Sequence, residues 1–306
     1  MSLFGANDPN NVTKPDETPI LEGVPSTEAP AGEEHEAPLR RIPHLGHALV
    51  FVSFTGLLLI VLELVLVAMG KAPGAVHGGV TTLLHPKTQI ALLATTYLTS
   101  LLAAWSFFPL LWHRSFLDGM SWRWATARSL ASRLIALGLL LGMMVQIATN
   151  FITPPKTRPV DAFFQTQADA WLITLFGTIL APLFEEVCFR GFLVPAIAIA
   201  YDWLCLPRTP EARARWQTTT TLTPAALVFS AVLTSVMFAL MHIQQVAHLW
   251  AALLVLFTIS LVLTWVRVKT GSVAASALVH GAYNGFVFLM VLIATGGYRH
   301  LERMAK

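Results

Sequence analysis

Two carboxylates and a guanidinium interrupt an apolar run at Ala181-Pro182-Leu183-Phe184-Glu185-Glu186-Val187-Cys188-Phe189-Arg190-Gly191. Upstream, Trp171 to Leu180 is almost wholly apolar, and downstream Phe192 to Ala200 carries no charge. Ionisable groups at membrane depth are costly, so they are rare and face a cavity or a partner. On a helix, Glu186 and Arg190 lie one turn apart on the same face and can pair. Glu185 sits about 100° around that helix, outside the reach of the pair. One carboxylate is tied down and its neighbour is left free to act as acid, base or ligand. A structural ion pair stapling two helices would explain Glu186 and Arg190 but not Glu185.

Other polar groups lie in or beside apolar runs further along. Phe238 and His242 are four residues apart and share a helix face, as do His280 and Asn284. Taken singly, His242 reads as an interfacial residue, and His280 with Asn284 as a helix–helix hydrogen-bonding pair. Taken together with Glu185, they supply two imidazoles able to move protons or bind metal, a free carboxylate and an amide. Those parts suffice to activate a water molecule and to stabilise an oxyanion. The sequence has no HExxH, GxSxG or Walker loop, which removes the ordinary zincin, the hydrolase elbow and the P-loop from consideration.

Composition says where this chemistry sits. Of 306 residues, 55% are hydrophobic and 12% charged, with a mean hydropathy of +0.63. Soluble domains carry roughly 25% charged residues, so a polytopic membrane protein is expected. Eight of the 17 acidic residues fall within residues 1–45. That segment is also rich in Pro, Asn and Thr and is expected to be disordered, because it cannot bury enough apolar surface to offset its ordering entropy. The remaining excess of Lys and Arg reads as loop charge near lipid headgroups, not as a nucleic-acid footprint. Cys188 and Cys205 form no CxxC, so neither a disulfide framework nor a thiolate metal site is expected. The polar opening segment is not a basic-then-apolar leader, and no cleaved signal peptide is expected.

Apolar spans occupy about residues 46–70, 89–112, 130–152, 171–200, 225–242, 249–266 and 273–295. Each is close to, or longer than, the roughly 20 residues that cross a bilayer as helix. Long runs without alternation exclude a barrel. Pro182 within the long fourth span predicts a kink or a break, so the expected fold is an all-α membrane bundle of about seven to eight helices. Glu63 lies deep in the first span and could bond a neighbouring helix. Gly138 and Gly142 in the third have a spacing that lets helices approach closely, expected here to serve packing within the chain. On alternate sides of a seven-span arrangement, ten Lys/Arg against seven favour a cytoplasmic N-terminus.

Three motifs in order, Glu185-Glu186-x-x-x-Arg190, Phe238-x-x-x-His242 and His280-x-x-x-Asn284, resemble the CAAX-protease and bacteriocin-processing family of intramembrane proteases. Phe189-Arg190-Gly191 and Thr270-Gly271-Ser272 also look like the family. The resemblance covers about residues 170–295, a catalytic core following N-terminal spans at 46–169 and preceding a short basic tail at 296–306. It implies an endopeptidase of the membrane, in bacteria the cytoplasmic membrane, acting on a membrane-associated protein or peptide, with prenylated CAAX proteins one substrate class. On this resemblance Glu185 and His242 would polarise the attacking water, and His280 and Asn284 would bind the oxyanion. Glu186 and Arg190 would form the supporting ion pair, and Phe238 would shape the pocket. Glu185, His242 and His280 could also complete a three-ligand site with an open position, and zinc or another divalent metal is expected there; a metal-free glutamate protease is the alternative. A proton- or ion-coupled transporter would use the same residues but should repeat its halves, and the Glu-Glu motif occurs once. A non-catalytic scaffold of the same fold is the third reading. The oligomeric state is not encoded in any motif.

Overall fold

A computed structural model describes residues 41–69, 84–152 and 159–305. The acidic segment expected to be disordered lies, up to residue 40, outside the described residues. Helix α1 spans Leu45–Ala68, α2 Pro86–Trp112, α3 Phe116–Gly119, α4 Trp124–Ser129 and α5 Ala131–Thr149. Then follow α6 over Gln167–Leu204, α7 Pro210–Thr218, α8 Pro224–Met241, α9 Trp250–Thr270 and α10 Val273–Ala294. Seven of these, all but α3, α4 and α7, are long and apolar enough to cross a membrane. Among the described residues there is no strand.

The helix starts are written in local sequence. Thr166, Thr209, Thr223 and Ser272 each cap a helix by accepting a backbone N–H with the side chain, and Pro follows directly after Thr209 and Thr223. Gly271 ends α9 with φ +62°, a left-handed turn that a side chain would strain, and Ser272 then opens α10. The Thr270-Gly271-Ser272 triplet is therefore a tight helix–helix connection.

The fourth span is not divided at Pro182. Helix α6 runs through 38 residues, about 57 Å at 1.5 Å per residue, well beyond the roughly 30 Å of a hydrocarbon layer. It absorbs its two interior prolines in π turns at Phe176–Leu180 and Val187–Leu193. The Ala181 N–H bonds Phe176 O and the Val194 N–H bonds Phe189 O, each five residues back, and each donor directly precedes a proline, Pro182 or Pro195. A proline ring clashes with the carbonyl four residues before it and offers no N–H; widening the preceding turn relieves the clash without ending the helix. Glu185 and Glu186 fall at the midpoint of α6, between the two wide turns.

Between apolar helices in lipid the hydrophobic effect supplies little, so close packing must hold them. Helices α5 and α10 show how. A Cβ on Gly138 would lie 2.6 Å from both Ala282 Cβ and Val279 O, and one on Gly142 2.6 Å from the Phe286 ring. The expected intramolecular role of this glycine pair is what the structure has. Gly138→Val must push against backbone, and overpacking of this kind costs about 1–3 kcal/mol. The expected result is a clearly lowered melting temperature in detergent, and an unchanged one would show that α5 and α10 can part freely. On the other side, Phe51 of α1, Phe108 and Trp112 of α2, Phe116 of α3 and Phe184 and Phe192 of α6 form an aromatic core. Glu63 is half-buried on α1.

Candidate active site

The two carboxylates at the midpoint of α6 have different surroundings. Glu186 is fully buried, and its Oε1 accepts from Arg190 Nη1 at 2.9 Å, the pairing that their spacing predicts. Arg190, also fully buried, turns Nη2 to Ser260 of α9, donating to its carbonyl and to its Oγ at 2.8 Å each. Its guanidinium carbon stands 5.1 Å from the centre of the Phe238 ring, a cation–π contact. His280 of α10 brings Nδ1 to 2.9 Å from the same Glu186 Oε1. A carboxylate paired with arginine only accepts, so Nδ1 carries the proton and donates, which fixes the imidazole ring.

Glu185 is 7% exposed, and among the described residues no protein group donates a hydrogen bond to it. Its closest charged contact is His280 Nε2, 3.8 Å from Oε2. That is too long for a hydrogen bond and leaves the carboxyl open to a water or a substrate. His242, just past the end of α8, has Nδ1 2.8 Å from Phe238 O. Because a carbonyl cannot donate, this contact puts the proton on Nδ1 and leaves Nε2 as the basic nitrogen of the neutral ring.

Glu185, Phe238, His242, His280 and Asn284 line one cavity of about 300 Å³. Glu186 and Arg190 do not line it; they stand behind His280. Apart from Gln245 and the hydroxyl-bearing Tyr97 and Tyr283, the rest of the lining is apolar, with walls from α2, from the turn Pro159–Phe164 and from α10. Phe238 is fully buried, its ring 4.7 Å from that of His242 and 5.9 Å from that of His280. Asn284 donates from Nδ2 to the backbone carbonyl of Gly177, 2.8 Å away.

Three contributors were not anticipated. Ser260 anchors Arg190, Tyr97 of α2 lines the cavity with its ring stacked on Phe184 at 3.8 Å between centroids, and Tyr283 lines it from α10. A polar residue inside an apolar span was the only trace any of them left in the sequence, and Ser and Tyr are too common there to mark a site. Helix α2 therefore belongs to the site although it lies outside the span of the motifs.

The residues expected to hold a metal can be compared with the geometry only as they stand here. Among the described residues, no three His, Cys, Asp or Glu side chains gather closely enough to hold a metal ion. Glu185, His242 and His280 share the cavity without converging on one point, so they do not fit a metal in this arrangement.

The fold and this site define a multi-pass helical membrane protein with a polar centre buried among its helices. Residues 167–286 match a family model described as Rce1-like, type II CAAX prenyl endopeptidase Rce1-like. The match starts where α6 starts and takes in all three motifs, so this part of the chain is similar to the CAAX-protease domain that those motifs resembled. No curated protein and no solved structure matches the chain.

Proposed function

We propose that this protein is an intramembrane endopeptidase of the CAAX type in which Glu185 is the general base, working without a metal. The observation that carries this reading is the Glu185 carboxyl at the centre of a membrane helix, which takes no hydrogen bond among the described residues and faces a cavity it shares with two histidines. Such a group is expensive to keep at membrane depth, as expected of a residue retained for chemistry.

Water enters between Glu185 and His242. Glu185 takes a proton as the water oxygen attacks the scissile carbonyl carbon, and Nε2 of His242 orients the water by accepting its second hydrogen. The carbonyl oxygen becomes an oxyanion that accepts from His280 Nε2 and from the second N–H of Asn284. His280 already donates from Nδ1 to Glu186, so donating from Nε2 as well requires the imidazolium. Two carboxylates, one guanidinium and one imidazolium then balance in charge. As the intermediate collapses, the C–N bond breaks and Glu185 returns its proton to the leaving amine. No step is routed through a metal. The apolar walls suit a hydrophobic or lipid-modified segment ahead of the scissile bond.

A cleavage assay in detergent, with a prenylated CAAX peptide beside its unprenylated twin, tests both parts. Cleavage of the prenylated peptide, undiminished by a chelator, is the expected result. If chelation removes activity and zinc restores it, the metal-free mechanism fails; if folded protein cleaves neither peptide, the CAAX-type substrate fails.

A further inference from the structure

The contact between Asn284 and Gly177 has a cause in the chain that neither residue reveals alone. In the π turn Phe176–Leu180 the bond to Phe176 O spans five residues; one residue further on, the same spacing would give Gly177 O the N–H of residue 182, which is Pro and has none. The donor four residues ahead, Ala181, is spent on Phe176 O. Gly177 O is thus an orphaned carbonyl inside a membrane helix, where an unsatisfied backbone group is costly and other helices must supply the missing partner. Asn284 Nδ2 supplies it at 2.8 Å. Helix α10 comes close enough because Gly281 faces the same turn: a Cβ there would lie 3.2 Å from Thr178 O.

We propose that Asn284 is a positioning residue in addition to facing the substrate. Its amide stands in for the N–H that Pro182 lacks, and so locks α6 to α10 with Glu185 beside His280. One consequence is orientation. With a carbonyl in front of it, the amide must present nitrogen and not oxygen to Gly177, so the second N–H is set in a fixed direction. A second consequence is register. The bond ties Gly177 to the helix that carries His280 one turn before Asn284, so the Glu185–His280 approach is held from two sides, by Glu186 and by this clamp. The effect on turnover rests on the protease reading above; the effect on stability does not.

The test is a cycle of Asn284→Ala, Pro182→Ala and the double variant in the full chain, read by melting temperature in detergent and by peptide turnover. Asn284→Ala strands a buried carbonyl, and the melting temperature should fall by roughly 3–8 °C. In the Pro182→Ala background residue 182 again has an N–H to offer this turn, so the same Asn284→Ala change should cost less than half as much. Equal losses in both backgrounds overturn the proposal. It is also overturned if Asn284→Ala loses turnover at an unchanged melting temperature, because the side chain then acts on substrate alone. The melting cycle needs no activity, so a chain that cleaves no peptide defeats the protease reading and leaves the clamp to be judged separately.

Discussion

Glu185→Gln is expected to abolish peptide cleavage while leaving a folded protein that melts at or above the wild-type temperature. The two halves of this result come from one observation. Glu185 is nearly buried and takes no hydrogen bond among the described residues, so exchanging its carboxyl for an amide of the same shape breaks no hydrogen bond seen there. It also relieves the cost of keeping an ionisable group in a low-dielectric interior. The chemistry depends on the carboxylate itself, because an amide cannot accept a proton from water. Loss of a general base costs about 10²–10⁴ in rate, and here the same group must also protonate the leaving amine. Turnover and melting temperature measured on one preparation give the answer. Retained turnover would remove Glu185 from the mechanism, and a marked drop in melting temperature would show that its carboxyl holds the bundle together.

Arg190→Met should give the opposite pattern, a protein damaged first in its stability. Arg190 and Glu186 are both fully shielded, joined at 2.9 Å, and the arginine reaches α9 through Ser260. A paired buried charge adds little net stability, because desolvation offsets the attraction. Removing one partner leaves the other uncompensated and costs about 3–5 kcal/mol. Methionine fills much of the volume but leaves Glu186 with His280 alone. Adding Glu186→Gln to Arg190→Met removes the stranded charge, so the double variant should melt above the single one. It should still turn over slowly, because His280 loses the carboxylate that fixes its ring. If Arg190→Met melts like wild type, Glu186 does not depend on its arginine and the supporting role assigned to the pair falls. If the double variant melts below the single one, the two losses are independent and there is no buried pair to break.

These outcomes also separate the two carboxylates, which adjoin in sequence and are both buried, Glu186 completely and Glu185 all but a small part. Their difference is one of neighbours: Glu186 has an arginine and a histidine at bonding distance, and Glu185 has a cavity.

Much of this was legible before any fold was known. The seven spans could be placed to within a few residues, because about 20 apolar residues in a row have few other uses and Thr-Pro, Ser and Gly mark where the helices start and stop. The Glu186–Arg190 pair was legible because four residues make one helical turn, a purely local fact. The three motifs were legible as types of residue able to do hydrolysis. What the sequence could not supply was long-range. The hydrogen bond from His280 to Glu186 joins residues 94 apart, and that from Asn284 to Gly177 joins residues 107 apart. Periodicity says which residues share a face, but not which face of another helix they will meet. For the same reason Tyr97 of α2 and Ser260 of α9 were invisible as parts of the site. The metal set shows the converse: Glu185, His242 and His280 are the right types to bind zinc, but ligation needs three donors on one point, and only the packing of α6, α8 and α10 sets how far apart they stand. Pro182 lies between the two cases. Its missing N–H could be read from the sequence, but that the helix widened there instead of breaking, and that a donor from α10 meets the carbonyl left over, is seen only in the packed structure.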